Sequence, residues 1–245
     1  MSKVKKEKNE RYYYKLYRGI FGWLVRLVLP TRIFGEEITD GGKFIVSNHL
    51  SLLDPAITFA YIPGYKRFIS KIELEKKFFI GKVFSQMGAV FLNRQAEGGD
   101  LSSIKKILKA SRNGEQIALF PEGTRNRTGS TDMMQIKDGI SLFVLKGTPI
   151  VLPVMMLNKP KIFKKSYVYI GNHLDLSEYK SLKPDAELIE KVRQLIQSHM
   201  EDAKEKGEKF LNSVGDKGLE KLYKQQKKEN RKNKKKSYLI KVENL

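Results

Sequence analysis

Cysteine is absent from the 245-residue chain, tryptophan occurs once, and there are only three histidines, His49, His173 and His199. Without cysteine there is no disulfide, no thiolate metal site and no thiol nucleophile, which fits a reducing compartment. The histidines lack ligand-spaced partners and any H-E-x-x-H spacing, so a metal centre has no support. Neither G-x-x-x-x-G-K-[ST] nor G-x-G-x-x-G occurs, so a nucleotide cofactor has none either. No G-x-S-x-G elbow offers an activated serine. Long apolar runs are missing too. The best, IFGWLVRLVL at 20–29, is broken by Arg26 and falls well short of the roughly 20 residues that span a bilayer. The opening MSKVKKEKNE carries no apolar stretch of the kind that marks a secretory signal.

What the chain does have is positive charge, a net +20. Its distribution is uneven: residues 1–18 hold +5 and residues 221–245 hold +8. Charge gathered at the ends implies an anionic partner, either nucleic acid or a negative membrane surface. The stretch YYYKLYRGIFGWLVRLVL mixes tyrosines, the single tryptophan and basic residues with leucine and valine, the composition of a helix lying at the lipid headgroups. A helix packed on the domain is the alternative. A non-catalytic, basic nucleic-acid-binding protein is the competing function class, acting through its tail. No RNP, KH or zinc-finger pattern accompanies that tail, so nucleic acid is not the expected partner.

Hydrophobic residues at 40% support one large core. The segments 43–48, 66–70, 88–93, 115–120, 148–157 and 166–171 are rich in Ile, Val, Phe and Tyr and read as strands. Between them LLDPAITFAY, KKFFIGKVFSQM, DLSSIKKILKASR and DGISLFVLK show helical spacing. Asp100 is the expected N-cap of the third of these, and Asn113-Gly114 its end. The alternation predicts an α/β fold with a mainly parallel central sheet flanked by helices. Three regions are expected: an amphipathic interfacial helix over 1–30, the main domain over 31–212, and a lysine-rich tail over 213–245 that is a helix extension or disordered.

Two stretches bear chemistry. In NHLSLLDP, His49 ends a strand and Asp54 lies five residues on. Residues five apart on one helix sit about 140° apart, so contact requires a strand-to-helix turn that carries Asp54 back to the ring. The carboxylate would then hold Nδ1–H and leave Nε2 as a base. A structural strand-end histidine is the alternative. The second stretch, FPEGTRNRTGS at 120–130, follows a strand and sets Gly123, Glu122 and two arginines where α/β sheets bind ligands. Arginine there suits a phosphate. The alternative is a surface loop with Glu122 and Arg125 paired to each other.

Taken in order, four blocks resemble the glycerolipid acyltransferase family, most nearly its 1-acylglycerol-3-phosphate acyltransferase branch. N-H-x₄-D is met by Asn48, His49 and Asp54. The G-x-x-F-[IL]-x-R run is met by Gly88, Phe91, Leu92 and Arg94, and F-P-E-G-T-R-[SN] by Phe120 to Asn126. A late P-[IV]-x-P pattern is met by Pro149, Ile150, Val151, Pro153 and Val154, with Leu152 as an extra residue. SKIEL at 70–74 and IKDG at 136–139 agree. The resemblance covers roughly 30–170. It implies that His49 is the general base and Asp54 its orienting partner. It implies that Arg94 and Arg125, with Lys71 a further candidate, hold the acceptor's phosphate, and that Glu122, Gly123 and Thr124 shape and line the acceptor loop. It also implies direct transfer from an acyl thioester, acyl-CoA or acyl-carrier protein, to lysophosphatidic acid, with no other cofactor. Glycerol-3-phosphate or another lysophospholipid is the alternative acceptor. The expected place is the cytoplasmic face of an anionic membrane surface, peripheral or monotopic.

Overall fold

Strand residues of this chain alternate between two apolar layers. Phe44 and Val46 face one and Ile45 the other; Ile117 and Leu119 oppose Ala118; Val151 and Met155 oppose Leu152, Val154 and Met156. Strands apolar on both faces need cover on both, and the helices supply it.

The structure is a computed structural model that describes residues 3–93, 95–96, 100–233 and 237–242. In chain order the elements are α1 (Lys3–Val28), β1 (Thr31–Gly35), β2 (Phe44–Val46), α2 (Asp54–Tyr61), β3 (Lys66–Lys71), α3 (Ile72–Glu75), α4 (Phe78–Gln86) and β4 (Val90–Leu92). Then follow α5 (Leu101–Arg112), β5 (Gln116–Leu119), α6 (Gly139–Lys146), β6 (Ile150–Met156), β7 (Ser166–Ile170), β8 (Leu174–Asp175), α7 (Ala186–Lys232) and β9 (Leu239–Lys241). The sheet order is β4-β3-β5-β2-β6-β7-β1-β9, with β8 paired to β6. Pairings are parallel except β6 with β7 and β6 with β8, as the alternation predicts. One face carries α5, α6 and α7 on Ile107, Phe143, Val144, Val192 and Ile196; the other carries α1, α2 and α4 on Tyr14, Ile57, Phe59 and Phe84.

Asp100 caps α5 as its sequence implies, its carboxylate accepting from Ser103 N at 3.0 Å. Strands β1, β8 and β9 and the short helix α3 were not in the sequence reading. Of the lysine-rich tail, residues 234–236 and 243–245 lie outside the described residues, and the part through Lys232 is helical. α7 runs through Lys232 with one break at Gly215, and the chain then returns as β9, parallel to β1, with Ile240 buried. Arg32 and Glu220 at 2.7 Å, and Lys165 and Asp216 at 2.8 Å, tie the distal half of α7 to the sheet. α1 packs on the domain through Tyr14 on one side and leaves Leu16, Ile20, Trp23, Leu24 and Leu27 exposed on the other. Among the described residues no helix is long and apolar enough to cross a membrane.

Candidate active site

Parallel strands that start level also finish level, so the segments leaving β4, β3, β5 and β2 emerge along one edge. Val46 faces Leu119, which puts His49 and Glu122, each three residues further on, at the same height above the sheet. Phe68 faces Ala118, and Lys71 closes β3 beside Leu92. Every sequence-predicted residue within the described chain therefore exits on one side.

At this edge Asp54 is the first residue of α2 and is fully buried. Its Oδ2 accepts from His49 Nδ1 at 2.9 Å and from the backbone N–H of Leu50 and Ser51 at 2.7 Å each. The turn closes as the sequence requires. A carboxylate on Nδ1 fixes the proton there and leaves Nε2 as the acceptor nitrogen. The ring's side chain keeps 17% of its exposure. One face of the imidazole stacks on Phe120, with centroids 4.3 Å apart and planes at 25°. The backbone is clamped as well: Asn126 N donates to His49 O at 2.8 Å.

Asn48, the residue before the histidine, is wholly buried and reads the backbone of the next strand. Its Nδ2 donates to Met156 O at 2.9 Å, while its Oδ1 accepts from Met156 N at 2.8 Å. A side-chain amide thus continues the β2–β6 ladder past the end of β2, so the chain can turn at His49 without leaving a buried backbone group unpaired. Asn48 and Phe120 are positioning groups that pattern reading matched only as motif letters. The signal for both was their placement directly beside His49 or at the head of the FPEGTR block.

Glu122 lies beneath this turn, 1% exposed, with Oε1 accepting from His49 N at 3.4 Å. Its Oε2 is buried, with no partner within hydrogen-bond distance and angle among the described residues. Burial pushes the carboxyl up to about 7; the N–H groups of His49 and Met134 pull it down, and the charge of Asp54 adds to the rise. Glu122 and Arg125 do not pair, which removes the closed surface-loop alternative; Arg125 is half-buried with no hydrogen bond or ion pair among the described residues. Gly123 takes φ +77°, the left-handed value that lets the loop reverse after Glu122, and donates to Phe120 O at 3.0 Å. Thr124 is exposed, as is Lys71. Asn126 fastens the far side of the loop, donating to Asp132 O at 2.9 Å and accepting from Thr128 N at 2.9 Å. Arg94 lies outside the described residues. Among the described residues no cluster of His, Asp and Glu could hold a metal ion.

The arrangement offers a tethered base, an adjacent buried acid and half-buried or exposed cations at one edge. Comparison with known proteins gives the family. The 1-acyl-sn-glycerol-3-phosphate acyltransferase of Borreliella burgdorferi is 34% identical over 148 residues, 56% of this chain and 58% of that protein. The enzyme of the same name from Helicobacter pylori is 32% identical over 123 residues, 50% of this chain and 52% of that one. The chain thus spans little more than half the length of these relatives. The fold matches the crystal structure of the 1-acyl-sn-glycerophosphate (LPA) acyltransferase, PlsC, from Thermotoga maritima, with TM-score 0.60 and 24% identity over 83% of this chain and 82% of that one. A model of the family described as Acyltransferase matches residues 31–157, from β1 through β6. That span is more than half of the chain and contains the whole His49–Asp54 turn and the whole FPEGTR loop, and the chain belongs to the Acyltransferase family.

Proposed function

We propose that the protein transfers a fatty acyl chain from an acyl thioester to the sn-2 hydroxyl of 1-acylglycerol-3-phosphate, giving phosphatidic acid. The observation that carries this reading is the His49–Asp54 contact at 2.9 Å, set at the strand edge where the FPEGTR loop also emerges. The names of the two bacterial relatives support the same acceptor.

In this reading Nε2 of His49 removes the acceptor's hydroxyl proton as the oxygen attacks the thioester carbonyl. Asp54 holds the tautomer and steadies the imidazolium that forms. The tetrahedral intermediate collapses, the C–S bond breaks, and the thiolate recovers the proton from His49. No acyl-enzyme is needed, in keeping with a chain that has no cysteine. Arg125, Arg94 and Lys71 are assigned to the acceptor's phosphate, which a guanidinium fork suits. Glu122, Gly123 and Thr124 form the loop that receives the glycerol backbone. The donor is acyl-CoA or acyl-carrier protein, each acidic and matched to a chain of net charge +20. In this reading the enzyme works on an anionic membrane surface at its cytoplasmic face, and the exposed apolar stripe of α1, from Leu16 to Leu27, supports it.

The test is an assay of purified protein with lysophosphatidic acid and with glycerol-3-phosphate, each offered with both donors. Phosphatidic acid from lysophosphatidic acid is the expected product. Turnover of glycerol-3-phosphate alone would reassign the acceptor, and no transfer from either thioester would remove the reading.

A further inference from the structure

The loop between β6 and β7 reads NKPKIFKK over residues 158–165, with four lysines and no acid. At its tip Ile162 is 57% exposed and Phe163 72% exposed. Two large apolar side chains in water, flanked by Lys159, Lys161 and Lys164, make the pattern of a segment that enters an anionic interface; Lys165 is taken up by Asp216 and Glu220. The backbone is set to hold them there. Phe163 has φ +58°, the only positive φ at a non-glycine among the described residues. A bulky L-residue in that region is strained, and such strain persists where its surroundings fix it. Here Phe163 N donates to Val28 O at 2.7 Å and Lys164 N donates to Lys161 O at 3.1 Å. The first bond joins the loop to the last turn of α1, next to exposed Leu27.

Position gives the loop its purpose. β6 runs parallel to β2, so the loop leaves the sheet from the same edge as His49, and Met156 at its root is the residue held by Asn48. Other exposed apolar residues share this edge: Leu52 inside the His49–Asp54 turn, and Phe78 and Phe79 at the start of α4 beyond β3. We infer that the β6–β7 loop is a second bilayer contact, inserting Ile162 and Phe163 among anionic lipids and so holding the His49 edge against the membrane. α1 alone is a rod that can roll about its axis. A contact on a different element fixes the roll and opens the site toward the leaflet that holds an amphiphilic acceptor. The inference rests on the membrane-surface reading above and adds a site to it.

Trp23, on the exposed stripe of α1, is the only tryptophan, so the two contacts can be read apart. The full chain, and a Trp23→Phe/Phe163→Trp variant, are titrated with phosphatidylcholine vesicles with and without phosphatidylglycerol, with brominated acyl chains as quenchers. The inference expects a blue shift and quenching from both tryptophans on anionic vesicles. An Ile162→Ser/Phe163→Ser variant should bind those vesicles at least about tenfold more weakly, the effect of taking two apolar side chains out of the interface. Phe163→Asn should also lose affinity while its Tm stays level or rises, because asparagine tolerates positive φ. If Trp23 responds and a tryptophan at 163 does not, the loop contact is wrong and docking through α1 stands. If neither responds, the membrane reading falls and the loop contact with it. Equal binding by the serine variant overturns the inference even if the fluorescence shifts.

Discussion

A single carboxylate oxygen organises the site. Oδ2 of Asp54 receives three N–H groups, two from the backbone and one from imidazole, so the turn and the histidine tautomer are set by the same atom. Glu122 is held differently, and its behaviour is predictable. Its pKa rises from 4.5 to about 7 on folding, so between those values the native chain keeps a proton that the unfolded chain has lost. Stability from this group is fully present below the lower value and falls as pH rises toward the upper one. Urea midpoints measured across that window should decline in the native protein and flatten in Glu122→Gln; an unchanged slope in the variant would assign the decline elsewhere. Arg125 gives a kinetic prediction. Its guanidinium has no partner among the described residues, so Arg125→Ala should raise the acceptor KM by about tenfold or more, the loss of a charge-assisted hydrogen bond, with little change in the donor KM. Equal effects on both would take Arg125 off the phosphate.

Elements differ in how much of them could be read from sequence. β2, β5 and β6 were legible because they are buried on both faces and leave apolar runs, whereas β3, KRFISK, is buried on one face only and showed through its Phe-Ile-Ser centre. β1 was not. TRIFG follows the apolar end of α1 after only Leu29 and Pro30, and its identity as a strand comes from Ser166 and Leu239, far along the chain. β9 is three residues among lysines, and what makes it a strand is the open edge of β1 beside it. The site divides the same way. His49 with Asp54, and the FPEGTR run, are local and were visible. Asn48 on Met156 spans 108 residues and Glu122 under His49 spans 73, and neither contact leaves a trace in spacing. α7 supplies the prediction at this scale. Gly215 sits at φ 64°, ψ 173°, a region essentially reserved for glycine, and a Cβ there would meet nothing within 4 Å. Gly215→Ala should therefore cost about 1–3 kcal/mol through the backbone alone. Denaturant unfolding checks it, and a variant as stable as the parent would mean the bend moves freely.

At the scale of the whole molecule, chemistry, charge and apolar surface fall on related places. The parallel strands deliver His49, Glu122, Arg125 and Lys71 to one edge, and exposed apolar side chains rim that edge at Leu52, Phe78 and Phe79. In the proposed reading, a substrate with a phosphate at one end and an acyl chain at the other would meet cations and apolar surface side by side. Among the described residues, both basic ends join the main body: α1 covers one face and β9 closes the far end of the sheet.

The proposed chemistry turns on the imidazole, and the rate of phosphatidic acid formation by His49→Ala measures it most directly. With lysophosphatidic acid, an acyl thioester and a variant shown by circular dichroism to be folded, the rate should drop by about 10²–10⁴, the usual contribution of a positioned general base. A folded His49→Ala protein that forms phosphatidic acid as fast as the parent would contradict the account.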